Sequence, residues 1–74
     1  MVQFRLKELI ATRQRRTGNR VTYRKLAEET GLSKTTIARV ANNQVTTVGL
    51  NTIEQLCNFF GADIAELMIL ENGR

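Results

Sequence analysis

The stretch from Tyr23 to Val40, YRKLAEETGLSKTTIARV, constrains this chain more than any other. Its apolar residues recur at helical spacing on both sides of Gly31, which predicts two short helices with facing apolar stripes. Gly31 can adopt the left-handed backbone that a sharp turn needs, and Ser33 is a good N-cap for the second helix. The stretch therefore predicts a helix-turn-helix.

One helix is predicted before this stretch. Leu6, Leu9 and Ile10 follow the helical period and predict a first helix over about residues 5–16. Gly18 is expected to end it.

Two further helices are predicted after the stretch. The apolar residues of the fourth helix recur at helical spacing and are Leu50, Ile53, Leu56, Cys57 and Phe60. Asp63 and Glu66 have the spacing of a capping box, which begins a short fifth helix. Asn43 is expected to close the third helix with a left-handed backbone.

Short extended segments are predicted at both ends of the chain. Residues 2–4 alternate in polarity as a strand does, and residues 69–71 can form a second strand. Two pairings are open: a clasp that ties the ends of the domain together, or an exposed edge that pairs with a second copy. Without repeats or linkers, residues 1–74 are expected to form a single all-α domain with five helices.

The basic residues are concentrated in the first part of the chain. Residues 1–42 hold ten of the eleven Lys and Arg and three of the seven acidic residues, a net charge of +7, whereas residues 43–74 carry −3. Such a basic half is typical of a surface that binds nucleic acid, since phosphate neutralisation supplies most of the non-specific affinity. A solvated basic face that aids solubility explains the charge equally well.

The composition excludes several classes of protein. One cysteine and no histidine exclude a disulfide framework, most zinc sites and a Cys-His catalytic pair. No nucleophile with a base and no Gly-rich phosphate loop is present, and no stretch has the ~20 apolar residues of a membrane span. We predict a cytoplasmic protein that is not an enzyme, with no cofactor, no metal and no evident small-molecule ligand. Cys57 is expected to be a structural thiol.

Two segments carry a resemblance to a known family. LAEETGLSKTTIARV and LNTIEQLCNFFGADIAELM resemble the phage repressor and Cro type of helix-turn-helix domain, also called the xenobiotic response element family. The similarity covers Leu6 to about Met68, and the short N-terminal strand and the Cys in helix four resemble those of a compact bacterial subgroup with little beyond the DNA-binding domain. It implies a lambda-repressor-like fold that binds double-stranded DNA.

The resemblance also implies which residues read DNA bases. In this family the third helix lies in the major groove. The implied base-reading residues are Lys34, Thr35, Thr36 and Arg39. Arg39 is the best candidate for a bidentate contact with guanine. Ile37 and Val40 alternate with these positions and are expected to face the core.

Elements that flank the third helix are expected to contact phosphates. The implied phosphate-binding residues are Arg20, Tyr23, Arg24, Asn42, Asn43, Thr46 and Thr47. Tyr23 stands where the family typically has Gln, and Asn43 where it commonly has Gly. Ordinary loop polarity explains Thr46 and Thr47 nearly as well.

The function that the resemblance implies is transcriptional regulation. A module of this size is expected to repress by occupying a palindromic operator as a homodimer. Helix five and the C-terminal strand are the expected dimer interface, because residues 68–70 are apolar. The alternative is a protein-interaction module, such as an antitoxin that binds a partner protein as well as DNA. Antitoxins usually carry an additional tail, so DNA binding alone is favoured.

Overall fold

A computed structural model describes residues 1–71 of the chain. In this part, five helices are joined to one antiparallel pair of strands. The elements in chain order are β1 (Val2–Phe4), α1 (Leu6–Thr17), α2 (Tyr23–Thr30), α3 (Lys34–Ala41), α4 (Leu50–Phe60), α5 (Ile64–Leu67) and β2 (Met68–Leu70). The predicted fold, five helices with a clasp between the ends, is confirmed.

Local hydrogen bonds fix the start of α2 and the start of α3, and a left-handed glycine forms the turn between them. The Thr22 hydroxyl oxygen accepts a hydrogen bond of 3.0 Å from the Lys25 N–H, and Ser33 Oγ accepts one of 3.0 Å from the Thr36 N–H. Each bond satisfies an N–H group that the first helical turn leaves unpaired. Between the helices, Gly31 has φ +77°, the left-handed conformation expected from the sequence.

The core lies between the five helices and the inner end of the two strands. The fully buried side chains are Leu6, Leu26, Ile37, Val40, Leu56 and Leu67. Each contributes about 1.5–3 kcal/mol by leaving water, which makes this cluster the main stabilising feature of the fold. Ile37 and Val40 face the core as predicted. Thr30 is also buried, and its hydroxyl donates to the Leu26 carbonyl at 2.6 Å.

The prediction for the start of α4 was wrong at Leu50. This side chain was expected on the apolar stripe, but it is 83% exposed. Helical side chains tilt toward the N-terminus of their helix. Leu50 is the first residue of α4, so its side chain projects past the start of the helix and away from the buried Leu56 and Phe60.

The capping box of α5 is present, and it sets the position of β2. The Asp63 N–H donates to Glu66 Oε1 at 2.9 Å, and the Glu66 N–H donates to the Asp63 carbonyl at 2.9 Å. The helix has only one turn, because Met68 is already extended. Strand β2 consequently begins at Met68, one residue earlier than predicted.

Strands β1 and β2 form the terminal clasp. They are antiparallel, with Val2 opposite Leu70 and Phe4 opposite Met68. Phe4 is buried, whereas Val2 and Leu70 lie at the exposed end of the same face. Of the two pairings considered from the sequence, the clasp within one chain is the one observed.

Candidate nucleic-acid interface

Helix α3 has one buried side and one exposed side. Ile37 and Val40 face the core, while Thr35 and Arg39 are exposed. Thr35 and Arg39 lie four residues apart, so they are neighbours on the outer surface of the helix. Lys34 is exposed at the first position of the helix. The exposed side therefore offers a cation at each end and a hydroxyl between them.

Thr36 differs from the other three candidates for base reading. It is only half-exposed, and its hydroxyl oxygen accepts a hydrogen bond of 2.9 Å from the Ser33 hydroxyl. Its N–H also donates to Ser33 Oγ. The N-cap thus fixes the position of Thr36 at the edge of the exposed side.

The candidates before α3 are arranged around the start of α2. Arg20 and Arg24 are exposed, and Tyr23 is half-buried against the core. Arg24 Nε lies 3.6 Å from Glu28 Oε2, and both side chains are largely exposed. An exposed pair of this kind is worth only about 0.3–0.5 kcal/mol, so it does little to prevent Arg24 from meeting another anion.

The candidates after α3 lie in the loop that leads to α4. Asn42, Thr46 and Thr47 are exposed. The Asn42 side-chain Nδ2 donates to the Ala38 carbonyl at 2.9 Å, which holds this amide against the last turn of α3.

Asn43 uses its side chain differently from the other candidates for phosphate binding. Its Oδ1 accepts a hydrogen bond of 2.5 Å from the Phe4 N–H, and its Nδ2 donates to the Phe4 carbonyl at 3.2 Å. The backbone of Asn43 has φ +55°, as predicted for the residue that closes α3. Its amide is therefore engaged with β1.

Arg13 has a structural role that the sequence analysis did not find. Its guanidinium donates to the Phe59 carbonyl at 2.8 Å and lies 4.8 Å above the centre of the Phe59 ring. The Phe59 carbonyl is one of the last in α4, where the helix itself offers no partner. Phe59 packs edge-on against Phe60, with the ring centres 4.9 Å apart. Contacts over 46 residues leave no local signal in a sequence.

Cys57 lies on α4, near the acidic part of the chain. The thiol is half-buried and packs beside the core. Burial raises the pKa of this thiol, and the carboxylates of Asp63 and Glu66 raise it further. The reactive thiolate is therefore disfavoured, in agreement with a structural role.

Neither a cluster of metal-ligating side chains nor a membrane-spanning helix occurs in residues 1–71. This part of the chain contains no group of three or more His, Cys, Asp or Glu side chains placed to hold a metal ion. Its helices are too short or too polar for any of them to cross a membrane.

The comparison with protein families agrees with the geometry. A family model described as the Cro/C1-type HTH DNA-binding domain matches residues 5–73. The match includes α2, α3 and the turn between them. No curated protein and no solved structure matches the chain. With a match over nearly its whole length, the chain belongs to the Cro/C1-type helix-turn-helix family of DNA-binding domains and is a DNA-binding transcriptional regulator.

Proposed function

We propose that this protein is a cytoplasmic transcriptional repressor that binds a palindromic DNA operator as a homodimer. The observation that carries the proposal is the exposed side of α3, where Thr35 and Arg39 stand together opposite the buried Ile37 and Val40. An α-helix with such a polar side fits the major groove of DNA.

The proposed base contacts follow from the chemistry of the side chains on α3. Arg39 has the two parallel N–H groups needed to bind guanine O6 and N7 together. Lys34 donates to the same atoms through a single ammonium group. The methyl groups of Thr35 and Thr36 contact thymine methyl groups, and the Thr35 hydroxyl binds a base edge or a phosphate.

The proposed phosphate contacts come from both flanks of α3. They are made by Arg20, Tyr23, Arg24, Asn42, Thr46 and Thr47. Asn43 is left out of this set because its side-chain amide bonds to the Phe4 backbone. The remaining side chains fix the position of α3 on the duplex and carry no sequence information themselves.

The proposed dimer forms through the clasp patch, which consists of Val2, Ile64, Met68 and Leu70. Val2 is 49% exposed, Ile64 55% and Leu70 75%. Exposed apolar side chains gathered in this way favour contact with another protein surface. A single module of this size buries only about 600–1,000 Å² on DNA, so two copies are needed for useful specificity. The dimer represses by occupying promoter DNA.

Selection of bound duplexes from a random DNA pool tests this function. At about 150 mM salt, non-specific binding to phosphates is already weak. We expect recovery of a palindrome with half-sites about one helical turn apart. A single half-site would contradict the dimer, and an unselected pool would contradict sequence reading. The second result favours the alternative class, a protein-interaction module, with the clasp patch as the surface that binds its partner protein.

A further inference from the structure

The backbone of β1 has one edge toward β2 and one edge away from it. The Arg5 N–H donates to the Leu67 carbonyl at 2.6 Å, and the Met1 carbonyl accepts from the Glu71 N–H at 2.7 Å. In an antiparallel pair, the residues that face the partner strand alternate with those that face away. Phe4 therefore directs its N–H and carbonyl groups toward the edge that β2 does not cover.

Asn43 occupies this outer edge at Phe4. The side-chain oxygen accepts from the Phe4 N–H and the side-chain nitrogen donates to the Phe4 carbonyl. A neighbouring strand would pair with both groups in the same way, because an amide side chain offers the same donor and acceptor as a peptide unit. The Asn43 amide thus makes the two hydrogen bonds to Phe4 that a third strand would make.

The backbone of the same residue closes α3. The Asn43 N–H donates to the Val40 carbonyl at 3.1 Å, and the Gln44 N–H donates to the Arg39 carbonyl at 2.8 Å. This pair of bonds is the Schellman arrangement that ends a helix at a left-handed residue. Glycine adopts this conformation without strain, whereas asparagine does so at some cost. The side-chain bonds to Phe4 offset that cost.

We propose that Asn43 is a positioning residue for DNA binding, which holds the end of α3 against the terminal clasp. This inference rests on the proposed function. The clasp contains Val2, Met68 and Leu70 of the clasp patch, so the link from Phe4 to Asn43 joins the proposed dimer surface to the proposed reading helix. Asn43 therefore fixes the distance and angle between the two α3 helices of a dimer.

Two substitutions separate the side-chain link from the helix turn. Asn43→Gly keeps the left-handed backbone and removes the amide. Asn43→Asp keeps the shape and the acceptor but loses the donor to the Phe4 carbonyl. Asn58→Ala removes an exposed amide from α4 and serves as the matched control.

Two measurements on the free protein test the link itself. Hydrogen exchange of the Phe4 amide should be about tenfold faster in Asn43→Gly than in the wild type, because the amide loses its acceptor. Residual dipolar couplings should show that α3 has changed its orientation relative to α4 in both variants. A protected Phe4 amide, or an unchanged orientation of α3, would overturn the inference.

Binding to DNA tests the consequence. With the selected palindrome, Asn43→Gly, which adds no charge near the phosphates, should lose about tenfold in affinity, while its affinity for an isolated half-site changes less. The Asn58→Ala variant should match the wild type on both duplexes. Equal losses on palindrome and half-site would overturn the coupling to the dimer. Absence of specific DNA binding by the wild type would overturn the proposed function. The hydrogen exchange of the Phe4 amide and the orientation of α3 would still show whether Asn43 links β1 to α3.

Discussion

The C-terminal ends of α3 and α4 are closed by the same turn but are supported in opposite ways. Asn43 ends α3 with φ +55°, and Gly61 ends α4 with φ +62°. In both turns the left-handed residue donates to the carbonyl three positions earlier, and the next residue donates to the carbonyl five positions earlier. The main-chain geometry is therefore equivalent at the two ends.

The difference lies in where the long-range support comes from. At α3, the turn residue itself reaches β1, and the nearby Arg39 side chain stays exposed. At α4, the turn residue is a glycine without a side chain, and Arg13 comes from α1 to bind the Phe59 carbonyl. The comparison shows how a helix can be fixed from its turn while its outer side remains available to a ligand.

The largest expected effect comes from placing valine at each turn. At Gly61 an added Cβ meets no atom within 4 Å, and the left-handed backbone makes strain of about 1–2 kcal/mol the main expected cost of Gly61→Val. Asn43→Val adds strain and also loses two hydrogen bonds, for a total of about 3 kcal/mol. Urea unfolding followed by circular dichroism measures both free energies. Equal costs at the two ends would show that the Asn43 side chain adds nothing to the turn.

The second prediction concerns Arg39, the arginine that the α3 end leaves exposed. Arg39→Ala should cost roughly 1–3 kcal/mol in binding to the selected site and should flatten the preference at one base pair. Its free energy of unfolding should change by less than about 0.5 kcal/mol, because the side chain is exposed. Binding titrations with single-base variants of the site give the result.

Arg20→Ala is the matched control for that experiment. Arg20 is exposed before α2, where a phosphate contact is expected. Its removal should weaken binding to all sequences alike. The slope of the logarithm of the binding constant against the logarithm of the salt concentration should become less steep by about one. If Arg39→Ala behaved in the same way as Arg20→Ala, Arg39 would be a phosphate contact and not a base reader.

The third prediction concerns Arg13, the arginine engaged at the α4 end. Arg13→Ala should destabilise the fold by about 1.5–2 kcal/mol, since it removes a charged hydrogen bond and a contact with the Phe59 ring. The base preference of the remaining folded protein should not change. Thermal unfolding of Arg13→Ala and Arg16→Ala separates this role from general loss of charge, because Arg16 is exposed on the same helix. Similar melting temperatures would contradict the role of Arg13.

The C-terminal ends of α3 and α4 also show which structural features can be predicted from the sequence and which cannot. The left-handed turn at Asn43 and the cap at Ser33 were predictable because each involves residues at most five positions apart. The contacts from Asn43 to Phe4 and from Arg13 to Phe59 span 39 and 46 residues, and no local pattern encodes them. The candidate site came from family resemblance, which supplied the positions on α3 but not the role of Asn43.

The smallest expected effect is electrostatic and concerns Cys57, whose carbonyl accepts a hydrogen bond in the α4 turn. Burial is the largest effect that raises the pKa of its thiol, and the negative charges of Asp63 and Glu66 raise it further. In the folded state the thiol therefore keeps its proton to a higher pH than in the unfolded chain. The stability that this provides is present below the unfolded pKa and is lost as pH rises through the folded pKa.

Alkylation rates measured against pH test this shift directly. The midpoint for Cys57 in the native protein should lie above that in the urea-unfolded chain. Glu66→Gln should lower the native midpoint slightly, because it removes a charge and retains the side-chain acceptor of the capping box. If the pH midpoint of Cys57 alkylation in the native protein lay at or below that of the unfolded chain, the surroundings at the end of α4 would not disfavour a negatively charged thiolate. The electrostatic contrast with the α3 end, where Arg39 attracts anions, would then fail, although the difference in hydrogen bonding between the two turns would stand.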